Sequence, residues 1–188
     1  MIRWGIFLLL IGLFSCHQDT HTSWQNLELK QTDGKIFYGR TVQQKQASVF
    51  IFFAPECPLS ENYTLQTNEL SREFSSEGIS FHAVVTGTYY SREEIDLFIR
   101  QYDLQIPVLL DPNKELADLL RPTVTPEAFV IDKAGSIIYS GAIDNWAVDL
   151  GKKREVVTEF YLRDVLRALT QGQAIPYAKT TAVGCFIE

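Results

Sequence analysis

The residues with the clearest chemical potential are three thiols, Cys16, Cys57 and Cys185, in a chain of 188 residues. Cys57 lies in Phe52-Phe53-Ala54-Pro55-Glu56-Cys57-Pro58-Leu59-Ser60, after an apolar run and before a helical pattern. Proline is favoured at the first helical position, so Pro58 places Cys57 at the N-cap. A helix start offers unpaired N–H groups and the positive end of the macrodipole. Both favour thiolate over thiol, and the thiolate is the nucleophile. The plainer alternative is an inert packed cysteine, since free Cys is among the most buried residue types. Glu56, next to the sulfur, could assist proton transfer or simply face solvent.

Cys16 ends a different kind of segment. Arg3 supplies a positive start, Gly5 to Phe14 are apolar, and Ser15-Cys16 follow. About ten apolar residues are too few to span a bilayer, which takes roughly twenty. The layout is that of an export signal. Residues 1–15 then read as a signal, 16–23 as a polar tether, 24–172 as one folded domain and 173–188 as a tail carrying Cys185. Export places the remaining two thiols where disulfides persist. They are a structural bridge, a redox pair or two separate thiols.

Composition narrows the classes. A net charge of −6 argues against nucleic acid as a partner, because phosphate binding runs on clustered Lys and Arg. The run Lys152-Lys153-Arg154 is too short to alter that. His17 and His21 lie in the tether and His82 in an apolar strand. No Cys/His spacing matches a metal site, no Gly-rich phosphate loop is present, and no cofactor is implied. Arg121 could bring a cation near the sulfur or face solvent.

The elements that must position Cys57 can be read from periodicity. Leu27–Leu29 and Lys35–Tyr38 flank Asp33-Gly34, a hairpin signal. Ala47–Phe53 and Ile79–Val85 are continuous apolar runs, expected as strands buried on both faces. Ser60–Phe74 reads as a helix ended by Gly78. Ser91–Tyr102 reads as a helix with a Ser91/Glu94 capping box. Pro107–Leu110 follows as a strand and Asn113–Leu120 as a short helix. Ala128–Asp132 and Ser136–Tyr139 form a hairpin, Thr158–Leu169 is the last helix, and an irregular tail runs from Ile175. Strands alternating with helices require a largely parallel core covered on both faces, with the closing hairpin as an antiparallel edge.

Two segments at this separation resemble the thioredoxin-like superfamily in its redoxin, or AhpC/TSA-like, branch. One is Ala54-Pro55-Glu56-Cys57-Pro58-Leu59-Ser60, where that superfamily carries its active-site cysteine. The other is Thr125-Pro126-Glu127-Ala128-Phe129-Val130-Ile131-Asp132, which resembles its cis-proline strand, with Tyr139-Ser140-Gly141 following. The resemblance implies a three-layer α/β/α sandwich with a central mixed sheet. It implies that Thr125-Pro126 is cis and faces Cys57, with the backbone at Thr125 pairing with an extended substrate. Pro58 and Glu56 would border that substrate. Leu13-Phe14-Ser15-Cys16 resembles a bacterial lipobox, which implies lipidation of Cys16, membrane attachment and residence in the cell envelope. The ending Val183-Gly184-Cys185-Phe186-Ile187, with Ile143-Asp144-Asn145 and Gly151-Lys152-Lys153-Arg154, resembles a redoxin-like subgroup.

The departures matter as much. Dithiol members have a second cysteine where this chain has Ser60. Peroxiredoxins carry Thr or Ser where it has Ala54. Ile51 replaces the buried acid of thioredoxins. Copper-delivery relatives need the second cysteine that is missing here. From Pro176 the tail reaches about 33 Å at roughly 3.3 Å per residue. A domain of this size has a radius of gyration of about 15 Å, so geometry does not forbid a Cys57–Cys185 bond. Three expectations follow. One is an exported thiol–disulfide oxidoreductase acting on exported protein thiols or disulfides, with Cys57 as nucleophile and Cys185 as resolving or bridging partner. The second is a thiol peroxidase consuming peroxide. The third is a binding module with a structural Cys57–Cys185 bridge.

Overall fold

The computed structural model describes residues 23–187. The segment expected to be a signal, most of the expected tether, and Cys16, the expected lipidation position, lie outside the described residues. The strands are β1 (Glu28–Gln31), β2 (Ile36–Tyr38), β3 (Ala47–Phe52), β4 (Ile79–Thr86), β5 (Val108–Asp111), β6 (Val124–Thr125), β7 (Glu127–Asp132), β8 (Ile137–Gly141), β9 (Ala147–Asp149), β10 (Lys152–Lys153) and β11 (Cys185–Phe186). The α-helices are α1 (Pro58–Glu73), α2 (Arg92–Gln101), α3 (Glu115–Leu120) and α4 (Tyr161–Thr170).

Among the described residues a seven-stranded sheet has the order β2-β1-β5-β4-β3-β7-β8. Its middle, β5-β4-β3, is parallel. Antiparallel pairs flank it, β1 on β5 and β7 on β3. The sheet is therefore mixed, with the N-terminal hairpin on one edge and the β7–β8 hairpin on the other.

The buried run of β3 explains the layering. Successive strand side chains point to opposite faces. Ala47, Val49 and Ile51 enter one core with Tyr63 and Leu70 of α1, Ile95 and Phe98 of α2, and Leu162, Val165 and Leu166 of α4. Phe50 and Phe52 enter the other with Leu116 and Leu120 of α3, Val42 and Phe37. The second face is covered more thinly, by α3 and a 3-10 turn over Gly39–Gln44 that periodicity did not reveal.

Local signals place the elements well. α1 begins at Pro58, two residues earlier than the apolar pattern indicated, because proline itself opens the helix. The Ser91/Glu94 capping box closes in both directions. α4 starts at Tyr161 rather than Thr158, because the Thr158 and Glu159 amides donate to the Asn145 side chain instead.

The tail is irregular along most of its length, yet it is held at two places. Ser140 of β8 bridges Lys179 in parallel fashion. β11 pairs antiparallel with β6, setting Cys185 opposite Thr125 and Phe186 opposite Val124.

Candidate active site

β3 delivers the chain to the site, and α1 leads it away. Cys57 is the N-cap of α1, with extended backbone (φ −87°, ψ 113°) and Pro58 at the first helical position. The residue is 1% exposed. The burial does not come from core packing alone, because β6 and β11 close over the sulfur from the far side.

The Thr125-Pro126 bond is cis. The turn brings the Thr125 carbonyl to the sulfur, and the Cys57 thiol donates to it at 3.1 Å. Cys185 arrives from the tail, opposite Thr125. The structure thus brings Cys57, Thr125, Pro126 and Cys185 together, and both thiols are free.

The electrostatics of the pair are asymmetric. Burial pushes the Cys57 thiol up, but four hydrogen bonds together outweigh it and leave its pKa below the ordinary thiol value. They come from the Cys185 thiol, the Ser60 N–H, the Cys185 N–H and the Ser60 hydroxyl. Cys57 closes no side-chain cap bond as a thiol; the Ser60 N–H at the third helical position acts on the ionised sulfur. Cys185 moves the opposite way. Burial, donation to Cys57 and the Cys57 charge raise it to about 12. One proton is therefore kept on Cys185 while Cys57 ionises, as expected for coupled sites.

Ser60, where a second cysteine would stand in dithiol relatives, is fully buried. Its hydroxyl accepts from the Ala54 N–H at 3.1 Å and ties the start of α1 to the preceding loop. Glu56 and Pro58 are exposed beside Cys57, and Glu56 borders an open pocket of about 490 Å³ whose lining includes Cys57 and Cys185. Tyr89, Tyr90, Lys114 and Phe186 also line it. Arg121 does not. It caps α3 in the left-handed conformation and faces a separate groove with Thr123 and Thr180. The cationic residue in the lining of this pocket is Lys114.

Sequence reasoning missed two contributors. Glu127 is 5% exposed, although it directly follows the cis-proline. Its carboxylate accepts from the Thr123 N–H at 2.7 Å, the Thr123 hydroxyl at 3.1 Å and the Val124 N–H at 3.4 Å. It therefore holds the strand that meets the tail. Its place in the Thr-Pro-Glu motif was visible, but its burial was not. The other is the pair Gly141 and Gly184. Gly141 has φ +137°, and a Cβ there would meet the Thr180 carbonyl oxygen at 2.3 Å. A Cβ on Gly184 would meet the Thr125 carbonyl oxygen at 2.1 Å. Each glycine lets the tail backbone approach the domain backbone.

His82 lies away from the site. Its ring stacks on Phe50 at 5.4 Å and meets Phe37 edge-on at 4.9 Å. Nδ1 has no hydrogen-bond partner. Among the described residues no group of three or more His, Cys, Asp or Glu could hold a metal ion.

Comparison with known proteins places the chain by family and fold. The model of the AhpC/TSA family matches residues 21–140. A protein named thiol-disulfide oxidoreductase ResA from Bacillus thuringiensis is 29% identical over 152 residues, covering 73% of this chain and 84% of that protein. Its namesake from Bacillus subtilis is 26% identical over 115 residues, covering 60% of this chain and 62% of the relative. Among solved structures, a hypothetical protein of Sinorhizobium meliloti superposes with a TM-score of 0.74 at 20% identity, over 86% of this chain and 89% of that one. An exposed lipoprotein thioredoxin of Streptococcus pneumoniae gives a TM-score of 0.54 at 22% identity, over 61% and 86%. The sandwich is of the thioredoxin type.

Proposed function

Because the chain belongs to the AhpC/TSA family, we propose that it is an exported thiol–disulfide oxidoreductase with Cys57 as nucleophile and Cys185 as resolving partner. The observation that carries this reading is geometric: Cys57 is the N-cap of α1, its thiol donates to the Thr125 carbonyl at 3.1 Å, and the tail sets Cys185 opposite that same Thr125. The opposite pKa shifts of the two thiols, Cys57 down and Cys185 up, agree with it. The names of the Bacillus relatives support the same reaction class.

The steps balance as follows. The Cys57 thiolate attacks one sulfur of a substrate disulfide, and the other substrate sulfur leaves as a thiolate. Cys185 then gives up its proton and attacks the Cys57 sulfur. The second substrate sulfur departs, and Cys57–Cys185 is left as the disulfide. The substrate is reduced by two electrons and the protein pair is oxidised by two. An external dithiol donor returns the pair to its starting state. Cys57 and Cys185 both belong to the lining of the pocket, which gives a substrate disulfide its direction of approach. Glu56 and Lys114 are the charged residues in its lining.

Attachment to the cell envelope through lipid on Cys16 belongs to the same reading. It rests on the Leu13-Phe14-Ser15-Cys16 segment.

The test is a comparison of rates. The reduced chain is mixed with an aromatic model disulfide and, separately, with hydrogen peroxide, and peptides are mapped without reduction afterwards. The proposal expects fast reaction with the disulfide and a recovered Cys57–Cys185 peptide. Fast reaction with peroxide alone would assign the site to peroxide reduction. Two separate thiols after complete oxidation would overturn the resolving role of Cys185.

A further inference from the structure

The tail does more than carry Cys185 to the site, because it occupies a strand edge. β6 is two residues long, and its free edge is taken by β11. The Ile187 N–H donates to the Thr123 carbonyl at 3.3 Å, and the Thr125 hydroxyl donates to the Cys185 carbonyl at 3.4 Å. An extended peptide reaching Cys57 along this edge would need the same backbone groups. Tail and incoming strand are therefore mutually exclusive.

The fit is selective at one position. At Gly184 there is no room for a side chain, because a Cβ would lie 2.1 Å from the Thr125 carbonyl oxygen and 2.6 Å from its carbon. Those are backbone atoms of a strand held by Glu127, so they cannot move aside cheaply. At Phe186, by contrast, the side chain stands 83% exposed, next to a pocket lined by Tyr89, itself 71% exposed. The edge thus accepts glycine before the cysteine and tolerates a large apolar residue after it.

The docking is reinforced upstream. The Thr180 hydroxyl lies 2.6 Å from the Tyr139 hydroxyl and accepts from the Ala142 N–H at 3.0 Å. The Ser140 N–H donates to the Ala178 carbonyl, and the Thr180 N–H donates to the Ser140 carbonyl.

We infer that the tail is a tethered pseudosubstrate: it blocks the Val124–Thr125 edge at rest and yields it to an extended protein segment carrying glycine immediately before cysteine. This rests on the reaction proposed above and adds its gate and its specificity. The gate also orders the steps. A partner strand displaces the tail and forms the mixed disulfide with Cys57. When the tail returns to the shared edge, Cys185 reaches the Cys57 sulfur and the reduced partner strand is expelled by the same movement.

The test uses binding, so it does not depend on sulfur chemistry. A fluorescent peptide Thr-Ala-Val-Gly-Ser-Phe-Ile, which repeats residues 181–187 with serine for the cysteine, is titrated into the full chain by anisotropy. A tail docked nine-tenths of the time weakens the apparent affinity about tenfold. Binding is expected at least ~10-fold tighter to Gly184→Ala, whose own tail cannot seat. Thr180→Val, which loosens the tail without touching the edge, should tighten binding in the same direction and serves if Gly184→Ala folds poorly. A peptide with alanine for its glycine should not bind either variant. Equal affinity for wild type and variants, or equal binding of both peptides, overturns the inference. Either result leaves the disulfide-exchange reading to be judged by its own rates.

Discussion

The thiol of Cys57 donates to the carbonyl of Thr125 at 3.1 Å, and Thr125 is also the residue opposite which Cys185 stands in the tail strand. One backbone unit thus holds the resting sulfur and sets the register of its partner. When Cys57 ionises it has no proton left for that carbonyl, and stabilisation passes to the donors from Cys185 and Ser60. Cys185→Ala removes the largest of the stabilising donors. The midpoint of Cys57 alkylation against pH should then move upward, and labelling at pH 7 should slow. Iodoacetamide kinetics read by peptide mass measure it. An unchanged profile would remove Cys185 from the account of Cys57 acidity.

Ser60 acts on both sides of the cap. Ser60→Ala leaves the Ala54 N–H without its acceptor. An unmet buried donor costs about 1–3 kcal/mol. Urea unfolding should show that loss, and the alkylation midpoint of Cys57 should rise because the hydroxyl and its dipole are gone. Ser60→Thr, which keeps the hydroxyl, should restore much of the acidity.

Glu127 positions the strand that Thr125 belongs to. Glu127→Ala strips three donors of their acceptor and is expected to cost roughly 2–4 kcal/mol. Glu127→Gln keeps an acceptor oxygen and should recover part of the loss. The discriminating readout is amide exchange at Ile187, whose N–H donates to the Thr123 carbonyl and which should quicken in the alanine variant before the sheet interior loosens.

His82 gives the fold an acid-sensitive term. Burial, and secondarily the charge of Lys45, push its pKa down from 6.5 to about 4. The unfolded chain therefore takes up the proton first. Stability from this group is fully present above pH 6.5 and falls as the pH drops towards 4, by roughly 3 kcal/mol in all. Below pH 4 both states are protonated and the loss ends. Urea midpoints at pH 7 and 4.5 test this against His82→Phe, which keeps the stack with Phe50 and should flatten that part of the profile.

Much of the site was legible because its signals are local. Cys57-Pro58 announces an N-cap, since proline restricts where a helix begins. Ser91 and Glu94 are three residues apart and close on each other. The alternation within β3 was hidden by its apolar run, yet its burial on both faces followed from that run. The docked tail is different. β11 is two residues long and pairs with a strand 60 positions away in sequence, so no periodicity could carry its register. The clue was steric: Gly184 precedes Cys185, and only the backbone of Thr125 explains why nothing larger stands there. The burial of Glu127 was equally invisible, because a carboxylate reads as surface until three donors are found around it.

The parallel bridge between Ser140 and Lys179 has a meaning apart from sulfur chemistry. β8 is the last strand of the sheet, and an uncovered edge invites pairing with another chain. Residues 178–180 take the backbone groups of Ser140 that would otherwise be offered to a neighbour. A chain cut after Tyr177 should therefore self-associate with rising concentration, visible by light scattering, even with Cys57 blocked. This stretch of the tail shields the sheet from its own kind.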